Sequence, residues 1–142
     1  MSVYPTDIAI YSRAMYKVVW LLKRKPGLTH EQFREMFEAS HAKLAEKYVG
    51  HLFVEYRRNY VKDAMWGGNP RQEGSGFGQR EWSYDLISEW IMADEAAFQE
   101  VRRIMAQPEI DREFETDEER LIDRSSVVMI HCDVADSGAP PR

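Results

Sequence analysis

A single cysteine, Cys132, stands among the 142 residues, so no intramolecular disulfide can form and a structural zinc site built on paired thiolates is excluded. Long hydrophobic runs are missing too: nothing reaches the ~18 apolar residues that a membrane helix needs. The opening MSVYPTDIAIYSRA has no charged start followed by an apolar core of signal-peptide length. These absences predict a non-secreted chain in a reducing cytoplasm, with no membrane partner. Charge of one sign is also scarce. The 19 basic and 24 acidic residues give a net charge of -5, and no basic block is long enough to track a phosphate backbone, which argues against nucleic acid as a partner. The cluster Gly74-Ser75-Gly76-Phe77-Gly78 lacks both the G-x-G-x-x-G spacing and the strand-to-helix setting of a dinucleotide loop. With no flavin, pyridoxal or metal fingerprint either, no cofactor is expected.

What remains is enough for one domain with a single core. Residues 16–23 read as a strand in which Tyr16, Val18, Trp20 and Leu22 take one face while Val19 and Leu21 take the other. Both faces are apolar, and one layer of helices can cover only one of them. A partner subunit is the economical cover for the second. Further strands are expected over 51–61, 83–92 and 125–134, with a second helix over 94–105 carrying Phe98, Val101 and Met105 inward. Pro108 should stop or redirect that helix, leaving 109–122 acidic and helical in pieces. The order strand, helix, strand, strand, helix, strand is the ferredoxin-like arrangement, an α+β fold with one antiparallel sheet. Residues 1–15 read as an N-terminal arm, 16–135 as the domain and 136–142 as a disordered tail.

The first helix is the most informative element. Pro26-Gly27 ends the first strand, Thr29 is suited to cap a helix with Gln32 at its third position, and Phe33, Phe37, His41, Leu44 and Tyr48 recur at helical spacing. His41 is thereby placed among apolar residues, where desolvation favours the neutral, proton-accepting imidazole. A lone inward histidine is otherwise most often a hydrogen-bonded core residue.

The run KRKPGLTHEQFREMFEASHAKL resembles the signature of the EthD-domain family, whose turn and helix read K-x-K-x-G-L-[ST]-x-E-x-F before a histidine. Met36-Phe37 stands where that family carries an aromatic pair, and His41-Ala42-Lys43-Leu44 replaces its usual His-x-Pro-Leu. A second stretch, Asp117-Glu118-Glu119-Arg120-Leu121-Ile122-Asp123, is similar to the family's acidic segment before the last strand. The resemblance implies a dimeric α+β barrel, in which two sheets pack face to face in a homodimer. It also implies small-molecule chemistry without a cofactor, since relatives include dehydratases, decarboxylases, cyclases and lactone isomerases.

On that footing His41 is the candidate acid–base residue, and Asp117 either orients it or caps a short helix that begins at Thr116. The expected substrate is hydrophobic, aromatic or polyketide-like, with Phe37, Leu44 and Tyr48 flanking His41 by helical geometry and Trp20, Glu89 and Trp90 added from the sheet. Trp66 joins them from the long 62–82 connection, which is either a lid or a dimer contact. Two other readings stand beside the enzyme: an accessory protein that binds a small molecule unchanged, and a haem-binding or haem-degrading protein, as in other branches of the superfamily. His51, Glu55 and His131 lie on expected strands without a reason to converge, so no metal site is assigned.

Overall fold

The computed structural model describes residues 15–67, 78–79 and 83–138. The expected N-terminal arm lies outside them, apart from Met15, as do residues 68–77 and 80–82 of the long connection and the last four residues of the tail. Four strands form one antiparallel sheet: β1 (Tyr16–Leu22), β2 (Phe53–Tyr60), β5 (Leu86–Met92) and β6 (Val128–Cys132), in the spatial order β2-β5-β1-β6. Between β2 and β5 a two-stranded hairpin pairs β3 (Met65–Trp66) with β4 (Gly78–Gln79). The side chain of Trp66, like Phe77, is outside the described residues.

Helix α1 (His30–Met36) starts where the sequence places it. Thr29 Oγ1 accepts from the Gln32 N–H at 3.1 Å, and the Thr29 N–H donates to Gln32 Oε1 at 2.9 Å, a reciprocal cap. The turn before it needs Gly27, whose φ of 98° is unfavourable for any side chain. The helix then continues through a π-turn, Phe37–His41, into α2 (Ala42–Val49). In this turn the Ala42 N–H reaches back to the Phe37 carbonyl, so one extra residue is accommodated. That residue rotates everything after it by about 100°. The inward stripe therefore passes to Ala42, Ala45 and Val49, and Leu44 and Tyr48, expected on the inner face, are only half-buried.

Helix α3 (Glu95–Met105) is capped by Asp94, whose carboxylate accepts from the Ala97 N–H at 2.8 Å. Pro108 does not break up the acidic segment after it. It occupies the first turn of α4 (Pro108–Leu121), where its missing N–H costs nothing, and the segment expected in pieces is one continuous helix. A 3₁₀ turn, Arg124–Ser126, replaces the first residues expected in the last strand. The end of α4 is tied to the end of β1 by backbone bonds from Lys25 N–H to Leu121 O and from Asp123 N–H to Lys23 O, at 2.8 and 3.0 Å.

Among the described residues, all helices lie on one side of the sheet. Strand register puts Val18, Trp20, Leu22, Leu86, Ser88, Trp90 and Met92 on that side and Val19, Leu21, Ile87, Glu89, Ile91, Val128 and Ile130 on the other. The helix-covered side holds two packed clusters, one around Val18, Val49, Phe98 and Phe114, the other around Leu22, Phe33, Phe37 and Leu121. Among the described residues no helix is long and apolar enough to cross a membrane.

Candidate active site

Where the two clusters meet, the packing leaves a cavity of about 280 Å³ between sheet and helices. Trp20 and Trp90, with ring centres 5.0 Å apart, belong to its sheet side. Phe37, His41 and Ala45 contribute from the π-turn and α2, Phe114 and Glu118 from α4, and Ile122, Arg124 and Val127 from the segment leading to β6. The lining is largely apolar. Its polar groups are His41, Glu118, Arg124, Ser88 and the Tyr56 phenol, which burial pushes well above the usual range and so keeps neutral.

His41 is nearly buried. It lies against Phe37, with centroids 4.9 Å apart, and meets Phe114 edge-on at 5.5 Å. Its Nδ1 is 3.1 Å from Asp117 Oδ2. That pairing leaves Nε2, which has no hydrogen-bond partner among the described residues, as the ring nitrogen available to the cavity. A carboxylate on Nδ1 holds the proton there and makes Nε2 the acceptor.

Asp117 is not at a helix start. It lies well inside α4, so it does not cap, and its carboxylate accepts from three side chains. Besides His41, the Ser40 hydroxyl donates at 2.5 Å and Arg120 at 2.9 Å. Burial pushes this carboxyl up, but the three hydrogen bonds outweigh burial and hold it at about 2. The next residue, Glu118, has the opposite environment: burial raises it, and the nearby His41 and Arg124 only partly offset that.

The π-turn itself is fastened on both sides. Glu38 accepts from Arg58 at 2.6 and 2.9 Å and from the Tyr60 hydroxyl at 2.6 Å, binding the turn to β2, while Ser40 and His41 bind it to α4. The hydrogen bonds from Arg58, partly opposed by burial, hold the Glu38 carboxyl below its usual range.

The structure brings His41, Asp117, Phe37, Trp20 and Trp90 together. Three other candidates stand elsewhere. Leu44 lines an outer groove between the first helix and α4, and Tyr48 packs on Phe114 and donates to Glu113. Glu89 is on the opposite face of the sheet, 2.5 Å from Lys17 and within reach of Asn59. Hydrogen bonds from Lys17, partly opposed by burial, hold its carboxyl below the usual range. Glu118 and Arg124 belong to the cavity but are absent from the sequence-based assignment. Helical spacing from Phe114 to Glu118 places them on one face, a signal outweighed by the default that helix glutamates are solvated. His51, Glu55 and His131 form no metal-ligating group among the described residues.

Four antiparallel strands backed on one side by helices define a ferredoxin-like α+β protein. Residues 25–125 match the sequence model of the EthD domain, and the chain belongs to that family. A solved structure from Arabidopsis thaliana superposes with a TM-score of 0.53 at 18% identity, covering 87% of this chain and 99% of that one. An EthD family protein from Bacillus halodurans gives 0.53 at 18% identity, with coverage of 85% and 99%. A dimeric ferredoxin-like protein from Thermobifida fusca gives 0.50 at 12% identity, with coverage of 85% and 92%. At these identities the likeness is one of fold. No curated protein matches the chain.

Proposed function

We propose that this protein is a cofactor-independent lyase or isomerase for a hydrophobic aromatic or polyketide-like small molecule, with His41 as the acid–base residue and Asp117 as its orienting partner. One observation carries the reading: a nearly buried imidazole bonded through Nδ1 to a carboxylate, with Nε2 available to an apolar cavity. The cavity volume of about 280 Å³ is near the lower end of small-molecule sites, which run from about 300 Å³ upward, and suits a compound of one or two rings. In such a site His41 would take a proton from carbon next to a ligand carbonyl and return it elsewhere, and the aromatic walls would keep water from competing.

The same reading makes the protein a homodimer. The side of the sheet that carries Val19, Leu21, Val128 and Ile130 is left open by the helices, and solved relatives of this fold are described as dimeric.

The test is proton exchange. In deuterated water, aromatic ketones incubated with the wild-type protein should gain deuterium next to the carbonyl, followed by NMR. His41→Ala should lower that rate by about 10²-fold or more. Ketones that bind and survive without exchange would instead support a non-catalytic binding protein, and exchange that persists in His41→Ala would place the chemistry on another residue.

A further inference from the structure

We propose that Glu118 is a second catalytic residue, the acid that protonates a departing hydroxyl while His41 removes a proton from the adjacent carbon, which makes the reaction a dehydration of an aromatic β-hydroxy ketone. The inference rests on the proposed role of His41 and extends it.

Glu118 and His41 reach one cavity from different elements, α4 and the π-turn. Asp117 and Glu118 are consecutive, so their side chains diverge by about 100° around α4. Asp117 meets His41 Nδ1, and Glu118 contributes to the cavity wall. The Glu118 carboxyl has no hydrogen-bond partner among the described residues. A charged neighbour is Arg124, whose Nε lies 3.4 Å from Oε2, close enough for an ion contact but without a hydrogen bond. Arg124 is itself divided among Glu115, Glu118 and Glu119, at 3.5, 3.4 and 3.9 Å.

The charged groups that face Glu118 are His41 from the π-turn, Arg124 from the 3₁₀ turn, and Asp111 and Asp117 from its own helix. Burial raises its carboxyl, His41 and Arg124 lower it, and the two aspartates raise it, with burial dominant. Neighbouring carboxyls, one held low and one pushed up, are the arrangement by which a site keeps one group as an anion and supplies a proton from the other.

The step balances without a co-reactant. His41 Nε2 takes the proton from the carbon between carbonyl and carbinol, and the C–H electrons become the new C=C bond. The C–O bond breaks, and the Glu118 proton goes to the leaving oxygen, which departs as water. The enone is released, and the proton on His41 returns to Glu118 through solvent.

The probe is the aldol of benzaldehyde and acetone in deuterated water. NMR follows deuterium next to the carbonyl, and ultraviolet absorbance follows the enone. The wild-type protein should do both, and His41→Ala neither. Glu118→Gln, nearly the same in shape, should lose about 10²-fold in elimination relative to exchange, with Glu118→Asp recovering part of it. The elimination rate of the wild type should fall as pH rises and Glu118 loses its proton, a limb that Glu118→Gln should lack. A loss below about tenfold, a surviving limb, or wild-type exchange without elimination overturns the role of Glu118 and leaves His41 untouched. If the wild-type protein neither exchanges nor eliminates, the reading of His41 falls with it.

Discussion

Ser40, His41 and Arg120 converge on one carboxylate, and the pH at which they release it can be worked out. Asp117 lies at about 2 in the folded protein against an ordinary value of 3.8. A carboxylate lowered by folding stabilises fully above its unfolded value and loses that contribution as pH falls through the folded one. The unfolding free energy of the wild type, measured against Asp117→Asn in urea, should therefore exceed it most above about pH 4 and converge on it toward pH 2. Ser40 acts through Asp117 and is a positioning residue. Ser40→Ala removes a hydrogen bond to a charged group, and a loss of about 1.5–3 kcal/mol is expected in the same urea titration. Exchange should slow through kcat with KM little changed, because Ser40 does not line the cavity.

At the scale of the element, the π-turn decides which side chains meet the ligand. Deleting Ala39 would restore a regular helix in which Ala42, Ala45 and Val49 keep the inner face, but it would abolish the widened turn that sets Ser40 and His41 against Asp117. Exchange activity should fall by about tenfold or more, while urea unfolding should show the inner stripe still packed, with a loss below about 3 kcal/mol. This element also separates what can be read from sequence from what cannot. Thr29 and Gln32 announce the helix start because a cap is local, made within four residues. Val18 to Leu22 announce β1 as a short apolar run ended by Pro26-Gly27. The extra residue between Phe37 and His41 has no local signal; it is held by Glu38 bonding to Arg58 and Tyr60 and by Ser40 bonding to Asp117, contacts between segments far apart in sequence. Regular helical spacing therefore puts Leu44 and Tyr48 one position out of phase. Pro108 and Asp117 illustrate the same limit. A proline marks either a stop or a first turn, and an aspartate either a cap or a mid-helix acceptor, and tertiary partners choose between them. The place of Glu89 depends on which face of β5 turns toward the helices, and alternation alone leaves that open.

For the whole molecule, the sheet is the dividing plane. If the protein dimerises as proposed, Leu21→Glu or Ile130→Glu, on the open side, should yield monomers where the wild type sediments as a dimer, with the cavity residues undisturbed. The cavity and the open face lie back to back, separated by a single layer of strands in which Trp20 turns one way and Leu21 the other. A second subunit seated on Val19, Leu21 and Ile130 would therefore approach no atom of the ligand. Each subunit would fill without news of its neighbour's state, so saturation should be hyperbolic, and mixed dimers with one His41→Ala chain should retain half the activity of the intact pair.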